Sequence, residues 1–68
     1  MQIILKELRE KCAMNQHDLS ARSGVPQPMI SEIERGVVVN PTIRTLYRLS
    51  LALGCTVADL VTDDKKGA

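Results

Sequence analysis

Leucine, isoleucine, valine and methionine recur along this chain at intervals of three and four residues, which gathers them on one side of a helix rather than on alternate faces of a strand. The pattern predicts an all-α fold of five helices. Ile4, Leu5, Leu8 and Cys12 share one face of a first helix over residues 2–12, with Lys6, Glu7, Glu10 and Lys11 on the other. Asn15 then offers an N-cap side chain, Asp18 favours the positive end of the next helix, and Leu19 begins the buried side of a second helix over residues 16–23. Gly24 can take the left-handed conformation that ends that helix, and Val25 plugs the corner beneath it. Pro26 and Pro28 would break a helix interior but are tolerated in a first turn, so they mark the start of a third helix over residues 27–35. Met29, Ile30 and Ile33 form its apolar side, and Gly36 ends it. A loop closed by Pro41 leads to a fourth helix over residues 42–53, whose predicted inner face is Ile43, Leu46, Leu49 and Leu53, with Gly54 as its stop. Thr56 and Asp59 resemble a capping box for a short fifth helix carrying Val57, Leu60 and Val61.

A chain of 68 residues has room for one small domain, expected over residues 1–62, followed by a polar, charged and disordered tail at 63–68. There is no internal repeat, linker or second domain in the pattern. No stretch approaches the ~20 apolar residues of a membrane span, and the N-terminus lacks the features of a secretory signal, so a cytoplasmic address without a membrane partner is expected. Cys12 and Cys55 lack the spacing of a metal or redox motif; they read as small core thiols, with a disulfide between them as the alternative. The one histidine, His17, reads as a solvent-facing residue in a helix's first turn, without a second imidazole for a zinc shell or a nucleophile–base pair. No metal, cofactor or catalytic activity is therefore expected.

A formal net charge of +1 gives little support for nucleic-acid binding, because phosphate affinity comes from Lys and Arg displacing counterions. The placement of particular residues matters more. Two short helices joined through a glycine-containing turn can brace one another so that the second enters the DNA major groove. Their steep crossing needs a small residue in the first of the pair, a turn glycine, and apolar anchors in the second: Ser20, Gly24, Ile30 and Ile33.

In the run Asn15-Gln16-His17-Asp18-Leu19-Ser20, through Gly24-Val25, to Ile30-Ser31-Glu32-Ile33-Glu34-Arg35-Gly36, the chain closely resembles the phage-repressor-like helix-turn-helix family, also called Cro-like or XRE-type. Leu5-Lys6-Glu7-Leu8-Arg9-Glu10 is similar to that family's first helix. Asn40-Pro41-Thr42-Ile43, Thr45-Leu46 and Leu53-Gly54 are similar to its fourth. The resemblance runs from about Ile4 to Val61 without insertion, and implies a lambda-repressor-like bundle that binds double-stranded DNA and regulates transcription.

It also implies roles for individual residues. Gln27, Pro28, Ser31 and Glu32 match positions facing base edges, where glutamine suits adenine and glutamate suits cytosine N4. Pro28 departs from the polar residue common there and offers only apolar contact; Glu32 has the alternative of a plain exposed charge. Gln16 matches a phosphate-binding position at a helix N-terminus, with a solvated first-turn residue as its alternative. Arg22, Arg35, Asn40, Thr42 and Arg44 line the implied phosphate path. Arg9 and Glu34 match a structural ion pair, with phosphate contact as the lesser reading of Arg9. The run Val37-Val38-Val39 replaces the basic residues often found in that loop, and reads either as a protein-contact surface or as a folded-in loop.

Family members often act as homodimers on near-palindromic operators. The corresponding surface here draws on Val38, Val39, Cys55, Val57, Leu60 and Val61. The rival class is a protein-interaction module on the same fold, antitoxin-like or an adaptor, with weak DNA binding. Steep salt dependence of binding would mark the first reading, and near-indifference to salt the second.

Overall fold

The computed structural model describes residues 2–38 and 40–62. Among them the order is β1 (Gln2–Ile3), α1 (Leu5–Lys11), α2 (Gln16–Ser23), α3 (Gln27–Glu34), α4 (Ile43–Leu53), α5 (Val57–Leu60) and β2 (Val61–Thr62). This is the expected five-helix architecture, closed by a two-residue antiparallel ribbon in which Gln2 faces Thr62 and Ile3 faces Val61. The ribbon accounts for the differences at the start of the first helix and the end of the fifth. The Ile4 N–H donates to the Leu60 carbonyl (2.9 Å), so the chain before Leu5 is extended rather than helical. Val61 lies in β2, not in the last helix.

The core is built from Leu5, Met14, Leu19, Val25, Ile30, Ile33, Leu46, Leu49, Leu53 and Leu60. Helix α2 packs on both α3 and α4, α4 packs on α5, and α1 packs on α3. Isolated helices of 4 to 11 residues do not hold in water, so this shared core is what holds them.

Three sequence expectations change. Cys12 is exposed rather than in the core, because α1 ends at Lys11 and Cys12 stands at its C-cap, while Arg9 is the residue buried beside Leu5. Ile43 is 69% exposed, and the fourth inward position of α4 belongs to Ser50, whose hydroxyl donates to the Tyr47 carbonyl (2.7 Å) and so enters the core already satisfied. Leu60 is fully buried within its own chain and presents no side chain to a dimer partner. The expectations for Val39 and for the tail at 63–68 lie outside the described residues. Both cysteines are free thiols; Cys12 Sγ lies 3.7 Å from the Leu53 carbonyl. Burial pushes the Cys55 thiol above its ordinary value, with Asp59 and Cys12 adding to the shift.

Candidate nucleic-acid interface

Helix α2 begins with a reciprocal cap. The Asp18 N–H donates to Asn15 Oδ1 (2.7 Å), while the Asn15 N–H donates to an Asp18 carboxylate oxygen (3.3 Å). Asp18 therefore does more than face the helix dipole: it closes a capping box, which fixes where α2 starts. At its other end Gly24 is left-handed (φ 78°) and its N–H reaches the Ser20 carbonyl (2.9 Å). Ser20 Oγ donates to the Val25 carbonyl (2.7 Å), and Ser23 Oγ accepts from the Val25 N–H (3.1 Å). Two serines thus satisfy the polar backbone of a corner whose apolar plug, Val25, is buried.

Pro26 caps α3 and Pro28 sits in its first turn, where neither missing N–H is needed. Ile30 and Ile33 are buried, so the opposite side of α3 is outward. Gln27, Ser31 and Arg35, each four residues apart, form one row on that side, with Pro28 and Glu32 beside it. Gln27, Pro28 and Arg35 are exposed; Ser31 and Glu32 are half-buried. Arg35 Nε donates to Ser31 Oγ (3.3 Å), which lays the guanidinium back along the row. The flank of α3 between that row and the buried isoleucines is held by charge. Arg9 Nε donates to Glu34 Oε2 (2.7 Å) and Arg9 Nη2 to Glu34 Oε1 (3.1 Å), a two-pronged contact between α1 and α3. The third guanidinium nitrogen, Nη1, donates to the Met14 carbonyl (2.8 Å). Gln16 Nε2 donates to Glu34 Oε1 (2.9 Å), bringing in the first residue of α2.

This cluster is shielded, with only 10% of the Arg9 side chain and 4% of the Glu34 side chain exposed. Burial pushes the Glu34 carboxyl up, but the hydrogen bonds from Arg9 and Gln16 and the positive charge of Arg9 outweigh it. The net value lies below the ordinary carboxylate range. The hydrogen bond to Glu34 raises Arg9 in turn. Sequence reasoning missed the Gln16–Glu34 bond and the use of the Met14 carbonyl. The Gln16 amide is therefore engaged inside the protein, leaving one amide hydrogen and its backbone N–H at the start of α2 to meet a phosphate.

Asn40, Thr42 and Arg44 are exposed around the start of α4, where Thr42 Oγ1 accepts the Thr45 N–H (3.2 Å). Arg22 is exposed at the end of α2. Val38, Cys55, Val57 and Val61 are half-buried, the first three packed against the core's edge. Among the described residues, no three His, Cys, Asp or Glu side chains converge as a metal site, and no helix is long and apolar enough to cross a membrane.

Residues 5–60 match the helix-turn-helix family. The chain belongs to that family, in its phage-repressor-like, XRE-type branch. It is 46% identical over 55 residues to an uncharacterized HTH-type transcriptional regulator of Sinorhizobium fredii, covering 81% of this chain and 70% of that protein. A second HTH-type transcriptional regulator, from Haemophilus influenzae, is 41% identical over 58 residues, covering 81% of this chain and 58% of its own length. Among solved structures, a chain of the SinR protein/SinI protein complex superposes with a TM-score of 0.84 at 26% identity, covering 94% of this chain and 62% of that one. The helix-turn-helix domain binds DNA and regulates transcription.

Proposed function

We propose that this helix-turn-helix domain reads a near-palindromic operator as a homodimer, each copy laying α3 in a major groove about one helical turn from the other. The observation that carries the reading is the outward side of α3: Gln27 and Pro28 are uncovered, while Ile30 and Ile33 fasten the inner side and the Arg9–Glu34–Gln16 cluster holds one flank. Gln27 is the principal reader, suited to bidentate bonding with adenine; Ser31 and Glu32 flank it, and Pro28 offers contact to a thymine methyl. Gln16, Arg22, Arg35, Asn40, Thr42 and Arg44 supply the phosphate contacts that set register. Val38, Cys55, Val57 and Val61, each half-buried in one copy, are the residues assigned to a contact between copies. Bound near a promoter, the dimer acts by blocking or touching polymerase, which fits a cytoplasmic regulator without a cofactor.

Selection of bound sequences from a random duplex pool tests this, with the parent and Gln27→Ala side by side. The expected outcome is a two-fold symmetric motif whose preference relaxes at one or two base pairs per half-site in the variant, each such pair being worth about 1–3 kcal/mol. Enrichment of no motif at low salt refutes the reading, and uniform weakening in Gln27→Ala reassigns that residue to the backbone.

A further inference from the structure

Helix α4 carries an apolar ridge that the DNA reading does not use. Ile43, Tyr47 and Leu51 are 69%, 55% and 62% exposed, and with Val37 they are the exposed large hydrophobic residues among those described. Their spacing of four residues places them in one row along the helix, next to but outside the buried face of Leu46, Leu49, Ser50 and Leu53. Such a row is the kind of ridge that packs into the groove between side chains of a second helix. It is small beside the ~800 Å² per partner of a standard globular interface, so a single helix fits it better than a folded face.

The charge around the ridge selects the occupant. Arg44 and Arg48 lie four residues apart along one flank, both exposed, and α4 contains no acidic residue. A second copy is a poor match. Packing two α4 helices antiparallel about Tyr47 sets the arginine flanks of both copies on the same side of the seam, four like charges without a carboxylate from either helix. Val37, the other large exposed apolar side chain among the described residues, lies in a loop and not on a helix that could pack along the ridge. A helix with its own apolar stripe bordered by glutamate or aspartate matches both the ridge and its flank.

We propose that the outward side of α4, formed by Ile43, Tyr47 and Leu51 with Arg48 at its border, is a docking surface for an acidic amphipathic helix of a partner protein. Tyr47 is the single aromatic residue of the chain, so its fluorescence reports this surface directly when the ligand lacks aromatic residues.

The test uses the full chain and two synthetic helical peptides with the same leucine stripe, one flanked by glutamates and one by lysines. The glutamate peptide should bind saturably, change Tyr47 emission and shift the backbone amide resonances of residues 43–51. Arg48→Glu should weaken it about tenfold and transfer preference to the lysine peptide, an exchange that loss of fold cannot mimic. Leu51→Lys, at an exposed position, should weaken both peptides while leaving the thermal midpoint unchanged. The proposal is overturned if neither peptide binds, if both bind alike, or if the shifts fall on α3. It is equally overturned if the chain self-associates through this ridge and Leu51→Lys makes it monomeric.

Discussion

Glu34 accepts hydrogen bonds from both Arg9 and Gln16, so one carboxylate joins three helices at the point where α3 must be held. The pair is buried, and removing one partner of such a pair strands the other's charge at a cost of ~3–5 kcal/mol. Glu34→Ala should therefore lower stability by about that amount in denaturant unfolding, a large share of what a domain this small possesses. Its pH dependence has a definite sign. The Glu34 value is depressed in the folded state, so its contribution is fully present above the ordinary carboxylate value of ~4.3 and disappears as pH falls through the lower folded value. In Glu34→Gln that part of the acid destabilisation should be missing, which unfolding curves between neutral and strongly acidic pH will reveal. Unchanged acid sensitivity in the variant would mean that other carboxylates carry it.

At the scale of elements, helix ends show where the chain is tuned and where it is not. Helix α1 ends in a paired backbone closure, with the Met14 N–H on the Arg9 carbonyl (3.2 Å) and the Ala13 N–H on the Glu10 carbonyl (3.0 Å). That closure puts Ala13 in the left-handed region (φ 57°), where an L side chain is strained by ~1–2 kcal/mol. Ala13→Gly should therefore stabilise the domain by up to ~1 kcal/mol, offset in part by the greater freedom of glycine in the unfolded chain. Gly24→Ala should do the opposite by about the same amount. Open space surrounds the missing methyl there, so the loss comes from backbone conformation alone. Thermal midpoints moving in opposite directions will check both; a fall in both would show that Ala13 is not strained.

The same ends explain how much could be read beforehand. Asn15, Gly24, Pro28, Gly36 and Gly54 act through local backbone chemistry, and the second, third and fourth helices sit within a residue of their expected bounds. Which side of α4 turns inward was not legible. Apolar residues at 43, 46, 47, 49, 51 and 53 encircle most of that helix, and only its packing against α2 and α5 chooses among them. The outward positions on α3 follow from the two isoleucines that fix its inner side. The Gln16–Glu34 bond joins residues 18 apart through side chains alone, and no periodicity or spacing announces it.

For the whole molecule, a near-neutral charge means that DNA affinity rests on a few placed cations and helix termini rather than on a general positive field. The dependence of log K on log salt should be linear, and Arg44→Ala should reduce its slope by about one while weakening all sequences alike. A change of sequence preference without a change of slope would move Arg44 from the phosphates to the bases.

The ribbon of Gln2–Ile3 with Val61–Thr62 brings the two ends of the domain side by side. A short flexible connector between those ends, with the chain reopened in the loop between α3 and α4, should give a circular permutant that still folds cooperatively. Such a permutant would present new termini beside the reading helix, a place from which a fused enzyme could be delivered directly to a chosen DNA site.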